Sequence, residues 1–495
     1  MPAFSYGLKM MFEDLPIRIR LFVMDNIVIS KPEDIVHTFK QSAILTNKPY
    51  RKFVSNTFGV PEESKILFSA DVTGLRHKPQ ADSGLKQEYR VDYLMHTFIT
   101  QFMSGPSLGP LADRFTSNLI DRLEGEAISS EWKEYPDLYT FVRDHMFHAS
   151  VFAMFGEHLF KMSENFCAEF WQFEESVPEL AKGLPPWLNC RAIAARERCL
   201  TTVEGWRFYL NERACGTRSR SRVYDPLFGS EIVQKRHEAF AKMPTMSPRA
   251  IACEDLGLIW ASTANAAHAA FWLTYQILRH DDVHPRLRVV TEQAEKGRPV
   301  GSSLMRYDLA KLCRSPLLQS LYAETLRLHV SNIILRSPLE NFDIRNWRIS
   351  PGEIIAMMSY PLHHDSKVYN TGTSDDPRPL DDFWADRFLV PRVATDHPGA
   401  SAKSWPATPA SSTESSHEFS LKGLEGSWIP YGGGSNICPG RQFAKQEVLL
   451  NAALLLGNYD VELTGSPVGM DWRFFGTGSM GVKGKSPFRI RKRHL

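Results

Sequence analysis

The stretch that decides the fold is YGGGSNICPGRQFAKQE, residues 431–447, where three glycines and a proline surround one cysteine before helix-forming sequence begins. Glycines allow positive φ and a close approach of the backbone to a large flat partner. Pro439 and Gly440 predict a turn into a helix that begins near Arg441. Cys438 then lies just before a helix N-terminus, where free N–H groups and the helix dipole favour a thiolate. A lone cysteine is usually a small buried hydrophobe, but this setting indicates an iron ligand.

The rival interpretation of this loop is a phosphate-binding loop. Such loops have a GxxxxGK[ST] or GxGxxG pattern after a strand. Neither pattern is present in residues 431–447, so the sequence favours the thiolate ligand.

The composition indicates a large intracellular protein with a substantial core. Of the 495 residues, 43% are hydrophobic and 11% are aromatic. The net charge of +2 gives no reason to expect nucleic acid as a partner. The seven cysteines have no CxxC spacing, which argues against a zinc ribbon, a redox pair or a secreted disulfide framework.

Three segments bear on membrane contact and domain organisation. Residues 1–30 have neither a long apolar run nor a signal-peptide layout, so no N-terminal membrane anchor is predicted. Residues 256–278 carry no Asp, Glu, Lys or Arg and would be long enough to span a bilayer, but their central Ser, Thr, Asn and His favour a helix buried in protein. A transporter with one span there is the alternative. Residues 390–426, rich in Pro, Ser, Thr and Ala, predict an exposed insertion in a single domain of residues 1–495.

The remaining pattern is mostly helical with a few strands. RIRLFVMDNIVIS, residues 18–30, alternates as a pair of strands does, and Lys31-Pro32 opens a short helix. Residues 85–280 are mainly helical in pattern, and residues 316–330 form another helix with an apolar face.

The cysteine stretch resembles the heme-binding signature of the cytochrome P450 superfamily, FxxGxxxCxGxxxA. Tyr431, Gly434, Cys438, Gly440 and Ala444 occupy its positions, with Tyr431 in place of the usual Phe. The resemblance implies that Cys438 is the axial ligand of the iron of heme b. It also implies a mainly α fold with small β-sheets, with the heme between a long central helix and the helix after the cysteine loop.

Two further motifs of this family occur in the expected order. Glu324 and Arg327 match ExxR, which places a carboxylate and a guanidinium one turn apart on a helix. FWADRF, residues 383–388, resembles FxPxRF, with Trp384 where proline is usual. Arg387 would complete a buried cluster with Glu324 and Arg327. Alone, such a Glu/Arg pair is commonly a solvated salt bridge.

The central helix departs from the family pattern. Most monooxygenases carry AGx[DE]T there, and the matching stretch is ASTAN, with Ala264 at the acid position and Asn265 at the threonine position. We assign these two positions to the catalytic region. The Asn265 amide can hold a water but cannot relay a proton as a hydroxyl does. His268, one turn further on, is interpreted as a packing residue.

Heme anchoring is only partly visible in the sequence. The resemblance implies that Arg336 binds a heme propionate. In place of the usual WxxxR stands His96, with Thr100 at the arginine position, so His96 is either a propionate partner or a packing residue. Asn436 replaces a frequent propionate-binding cation.

The resemblance is greatest to the branch with sterol 7α-hydroxylases, sterol 12α-hydroxylase and prostacyclin synthase. WASTANAAHAAFW and SYPLHHD carry it. The expected function is a monooxygenase of secondary metabolism that oxidises a hydrophobic terpenoid or steroid with O2 and electrons from NADPH-cytochrome P450 reductase, peripherally at the endoplasmic reticulum membrane. Apolar walls at residues 261–269, 330–335 and 475–481 suit such a substrate. The alternatives are a heme-thiolate isomerase or dehydratase that needs no reductase, and a non-catalytic heme-binding protein.

Overall fold

A computed structural model describes most of the chain. The described residues are 16–21, 24–71, 73–79, 85–214, 223–243, 246–298, 301–392 and 416–493. The first half of the N-terminal segment for which no anchor is predicted, residues 1–15, lies outside them.

Helices make up most of the described structure, as the sequence predicts. They are α1 (Pro32–Lys40), α2 (Lys48–Phe58), α3 (Glu62–Ala70), α4 (Val91–Phe102), α5 (Leu108–Gly125), α6 (Leu138–Phe155), α7 (His158–Met162), α8 (Phe166–Leu180), α9 (Cys190–Ala214), α10 (Glu231–Phe240), α11 (Pro248–Arg279), α12 (Val283–Gln293), α13 (Leu309–Arg314), α14 (Pro316–His329), α15 (Ser359–His363) and α16 (Arg441–Asn458).

The strands are short and form several small sheets. They are β1 (Ile17–Leu21), β2 (Met24–Ile29), β3 (Leu45–Thr46), β4 (Lys133–Tyr135), β5 (Tyr224–Asp225), β6 (Gly229–Ser230), β7 (Glu295–Gly297), β8 (Arg306–Tyr307), β9 (Val330–Pro338), β10 (Phe342–Ile344), β11 (Trp347–Ile349), β12 (Ile354–Met358), β13 (Leu389–Pro391), β14 (His417–Phe419), β15 (Tyr459–Leu463), β16 (Gly469–Asp471), β17 (Thr477–Ser479), β18 (Gly481–Lys483) and β19 (Phe488–Lys492).

The largest sheet has the order β1-β2-β12-β9-β17, with β3 also paired to β9. The hairpin of β1 and β2 is antiparallel, which confirms the strand pair predicted from the alternating residues 18–30. Strand β12 pairs parallel with β2 and antiparallel with β9, and β17 pairs antiparallel with β9. Strands β12 and β9 therefore connect the N-terminal hairpin to the C-terminal strand β17.

Helix α11 is the long central helix that the sequence predicts. Ser247 caps its N-terminus by accepting the Ala250 N–H, and Pro248 occupies the first turn, where its missing N–H costs nothing. The helix packs against α6, α9, α14 and α16, and most of its side chains are buried in the protein. The interpretation of residues 256–278 as a membrane span is wrong, because none of the described helices is long and apolar enough to cross a bilayer.

Both ends of the segment 390–426 belong to the fold. Strands β13 and β14 pair antiparallel, Leu424 is buried in a small core cluster, and Gly426 packs against the backbone of Pro32. Apolar and glycine contacts fix these ends, although most of their residues are exposed or half-buried. Residues 393–415 lie outside the described residues, so the exposed insertion stays a prediction.

Candidate active site

The cysteine loop folds as a turn that leads into α16. The Cys438 N–H donates to the carbonyl of Tyr431 at 3.0 Å, and the Ile437 N–H donates to the carbonyl of Gly434 at 3.2 Å. Helix α16 begins at Arg441, with Gly440 at its N-cap. The thiol therefore lies one turn before the helix, where the sequence predicts it.

Burial has the largest effect on the Cys438 thiol and raises its pKa above the ordinary value. Hydrogen bonding from the backbone N–H groups of Gly440 and Arg441 and the Arg441 charge oppose this rise. The side chain is nevertheless exposed. Both observations hold if the sulfur faces an interior space with protein around it. N–H donors aimed at a sulfur are the arrangement that tunes an iron thiolate.

At two positions of the loop, a glycine is required for a packing reason that the sequence does not show. Gly434 has φ +67°, and a Cβ there would lie 2.6 Å from the carbonyl oxygen of Phe39, at the end of α1. A Cβ on Gly433 would overlap the Phe39 ring. These two glycines therefore let the loop pack on α1, a contact that the sequence does not predict. At Gly440 the nearest atoms are those of Met103, at 3.7 Å from a Cβ, which is ordinary contact.

Tyr431 lies between the cysteine loop and α14. Its hydroxyl shares a 2.6 Å hydrogen bond with the hydroxyl of Tyr322, and its ring meets Trp428 edge-on. Burial raises the pKa of the Tyr431 phenol well above its ordinary value. The sequence places an aromatic ring here, but not its partner, because Tyr322 is 109 residues away.

Arg336 projects from β9 toward the cysteine loop. Its side chain is buried, its Nη2 donates to the carbonyl of Gly433 at 3.2 Å, and its Nη1 donates to that of Leu335 at 2.9 Å. Among the described residues no carboxylate forms a salt bridge with it. Burial lowers its pKa to about 10, so the guanidinium is still charged at neutral pH. A buried cation bound only to carbonyls suits a carboxylate such as a heme propionate.

His96 lies in the middle of α4 with an unsatisfied ring nitrogen. Its Nε2 is buried and has no hydrogen-bond partner in the described part of the chain, and burial lowers its pKa. Met103, the residue after the end of α4, lies beside Gly440, so this end of the helix adjoins the cysteine loop. Thr100, at the position of the family's arginine, is exposed.

Asn436 brings no positive charge to this region. Its Nδ2 donates to the hydroxyl of Ser435 at 3.3 Å.

The structure brings Glu324, Arg327 and Arg387 together in one buried cluster. Arg327 donates to both carboxylate oxygens of Glu324, at 2.7 and 2.9 Å, and Arg387 Nε donates to Oε1 at 2.9 Å. The Trp384 N–H adds a bond to the same oxygen at 3.1 Å. These contacts hold the pKa of the Glu324 carboxyl below its ordinary value despite burial.

The remaining donors of the two arginines bind main-chain carbonyls. Arg327 reaches His363 and Leu380, and Arg387 reaches Pro379 and Asp382 among others. The cluster therefore fixes the backbone of residues 363–387 around α14, which is a structural task.

One side of α11 is more accessible than the rest of the helix. Ala261 is exposed, and Ser262 and Asn265 are half-buried, whereas Ala264 is buried in the core. The motif position assigns Ala264 to the catalytic region, and this stays a prediction; in the structure its methyl group is packed against protein. Ser262, which the sequence analysis does not single out, shares the open side with Asn265.

Asn265 is held by the C-terminal part of the chain. Its Oδ1 accepts the backbone N–H of Ser479 in β17 at 2.7 Å. One lone pair of the amide oxygen is therefore used in a structural bond, and the Nδ2 protons can be donated to a water. No sequence signal predicts this contact, because the two residues are 214 positions apart.

His268 lies two turns after Ala261 along α11 and is buried against α6. Its Nε2 lies 2.7 Å from the hydroxyl of Tyr139, the two rings stack, and burial lowers its pKa to about 3. Glu174 lies 3.9 Å from the same nitrogen. The ring is therefore neutral and part of the core.

Two strands connect the open face of α11 to the cysteine loop. Asn265 binds β17, β17 pairs with β9, and Arg336 on β9 reaches Gly433 in the loop. The cysteine loop carries a thiol with N–H donors, and β9 carries a buried cation without a carboxylate partner. Helix α4 adds a histidine nitrogen that has no hydrogen-bond partner among the described residues. This set of donors fits an iron porphyrin with two propionates.

Comparison with known proteins defines the class: the cytochrome P450 family model matches residues 17–477, and the chain belongs to this family. It is therefore an oxygenase with heme b as its cofactor. Among its relatives, cytochrome P450 monooxygenase efuG of Hormonema carpetanum is 31% identical, over 100% of this chain and 86% of the relative. Cytochrome P450 monooxygenase fsoE of Humicola fuscoatra is also 31% identical, over 100% and 83%. Cholesterol 7-alpha-monooxygenase of Cricetulus griseus is 26% identical, over 80% and 74%.

Proposed function

We propose that this protein is a monooxygenase that oxidises a hydrophobic terpenoid or steroid in secondary-metabolite biosynthesis. The observation that carries the proposal is the Cys438 thiol at the start of α16, with two backbone N–H donors aimed at its sulfur. When bound, the heme activates O2 for insertion into a C–H bond.

The protein residues have separate tasks in this proposal. Cys438 binds the iron, Arg336 and His96 bind the propionates, and Tyr431 supports the loop from the side of α14. Asn265 fixes the position of β17 and offers its Nδ2 to a water.

The open face supports an apolar substrate. Ala261, Ser262 and Asn265 carry no charge, and strand β9, which pairs with the strand bound to Asn265, carries the apolar residues 333–335. The relative that is named a cholesterol 7-alpha-monooxygenase points to a substrate of similar size and polarity. Few polar groups in a large apolar site are typical of sites for bulky hydrophobic ligands.

Electrons come from NADPH through cytochrome P450 reductase, and the enzyme acts inside the cell, peripherally at the endoplasmic reticulum membrane. The six cysteines of the described residues are free thiols, as expected in a reducing compartment.

The test is turnover of a terpenoid and steroid panel by the heme-loaded protein with reductase, NADPH and 18O2. We expect a product that carries one 18O atom and that depends on both NADPH and reductase. Product formed without reductase would favour the isomerase or dehydratase. Absence of product and of any spectral shift on addition of each compound would contradict the proposed substrate class.

A further inference from the structure

We propose that Ser262 is the proton-transfer group on the open face of α11. The inference rests on the proposed monooxygenase function, because reduction of O2 consumes protons. It assigns to a serine the task that the family pattern gives to an acid and a threonine, for which Ala264 and Asn265 have no suitable group.

The position of Ser262 on the helix carries the first part of the argument. At about 100° per residue, Asn265 lies between Ala261 and Ser262 on the helix surface. These three residues are accessible to different degrees, and Thr263 and Ala264, which come between them in sequence, are buried. The Ser262 hydroxyl is therefore on the same side as the Asn265 amide.

The hydroxyl of Ser262 is in a state that permits proton transfer. Its Oγ donates to the carbonyl of Ile259 at 3.1 Å. This bond uses the proton and leaves the oxygen lone pairs free to accept from a water. A serine hydroxyl can rotate between an acceptor on the helix and one outside it, since such bonds within a helix are weak.

The other polar groups near this face do not serve as well. Asn265 Oδ1 is bound to the Ser479 N–H, and an amide N–H donates but does not give up its proton at neutral pH. His268, two turns after Ala261, is buried against Tyr139, and its Nε2 is already bonded to the Tyr139 hydroxyl. Thr263 donates to the same Ile259 carbonyl at 2.7 Å, but its side chain is buried. Of the three residues on the open face, only Ser262 has a hydroxyl group, which can give up one proton while it accepts another.

The proposed step moves one proton and changes no oxidation state. Ser262 Oγ gives its proton to a water on the heme side and takes a proton from a second water on the outer side. One O–H bond of the serine breaks and another forms, so the hydroxyl is restored.

The test is the infrared C–O stretching band of the carbon monoxide complex of the reduced, heme-loaded protein, recorded in H2O and in D2O. We expect a solvent isotope shift in the unmodified protein, its loss in Ser262→Ala and its return in Ser262→Thr. Thr263→Val is the matched control, since it removes the neighbouring hydroxyl that binds the same carbonyl but lies on the packed side, and we expect it to keep the shift.

Three results would overturn the inference. The first is an isotope shift that is unchanged in Ser262→Ala. The second is an isotope shift that is also lost in Thr263→Val. The third is an isotope shift that is lost in Asn265→Ala and in no other variant. Each variant is first checked for the thiolate Soret band, and Ser262→Gly replaces any variant that lacks it. The measurement needs neither substrate nor reductase, so its failure is distinguishable from failure of the proposed function. With a substrate in hand, Ser262→Ala should lower the rate of product formation roughly 100-fold.

Discussion

Arg336 is a buried guanidinium that binds only backbone carbonyls, so removal of its charge should weaken heme binding. In Arg336→Leu we expect the Kd for hemin to rise roughly 10-fold to 100-fold, as for loss of a hydrogen bond to a charged group. The measurement is a hemin titration of the apoprotein followed by absorbance. Arg348→Leu is the control, because Arg348 is largely exposed and pairs with Asp343. Equal affinities of both variants would contradict the assignment of Arg336 to a propionate.

Glu447 on α16 makes stability depend on pH. Burial raises the pKa of its carboxyl to about 8, although the Ser150 hydroxyl donates to it at 2.6 Å. The folded state therefore holds a proton that the unfolded state releases above about pH 4.5, and stability is lost as pH rises toward 8. We expect Glu447→Gln, which mimics the protonated acid, to be more stable than the parent at pH 9 by on the order of 3 kcal/mol and equal to it near pH 4.5.

Urea unfolding midpoints at several pH values measure this effect. Glu62→Gln, at an exposed position beside Lys65, is the control and should leave the pH profile unchanged. A Glu447→Gln profile parallel to that of the parent would contradict a protonated Glu447.

At the scale of elements, Gly478 sets how closely β17 approaches α11. Its φ is +141°, and a Cβ there would overlap the Asn265 side chain. Gly478→Ala should break the bond from the Ser479 N–H to Asn265 and destabilise the protein by about 2 kcal/mol. Thermal unfolding measures the loss. Gly469→Ala is the matched control, because nothing lies within 4 Å of a Cβ there; equal melting temperatures of both variants would contradict tight packing of β17 on α11.

The cluster on α14 should be the most sensitive structural element. Arg327→Ala leaves the buried Glu324 carboxylate with one cation fewer and two carbonyl groups with fewer donors, so we expect a loss of about 3–5 kcal/mol. Circular dichroism during urea unfolding measures it. Arg378→Ala removes an exposed ion pair with Asp376 and should cost at most about 1 kcal/mol. A similar loss of stability in the two variants would contradict the expectation that burial makes the cluster more important than an exposed ion pair.

Local signals predicted elements well and long-range contacts poorly. The alternation of residues 18–30 and Pro32 gave β1, β2 and α1 correctly, because strand period and helix starts depend on neighbouring residues. The packing of Gly433 and Gly434 on Phe39 could not be predicted, since it depends on where α1 ends in space. The hydrogen bond from the Ser479 N–H to Asn265 could not be predicted either, because it depends on where β17 packs in space.

For the whole molecule, the motifs in register predicted the family, and the family model confirmed it over residues 17–477. Motif position did not tell which side of α11 each residue faces, so the burial of Ala264 and the place of Ser262 on the open side were not predicted. For a related reason, the composition of residues 390–426 shows their polarity, but not the pairing of β13 with β14.

The central claim for the whole molecule is that Cys438 ligates the heme iron as a thiolate. The most direct test is the difference spectrum of the reduced protein with and without carbon monoxide, for the parent, Cys438→Ala and Cys190→Ala. Cys190 is the matched control, because it is an exposed cysteine at the start of another helix, α9. The account predicts the red-shifted thiolate band in the parent and in Cys190→Ala, and its loss in Cys438→Ala. Persistence of the band in Cys438→Ala, or its absence from the heme-loaded parent, would contradict the account.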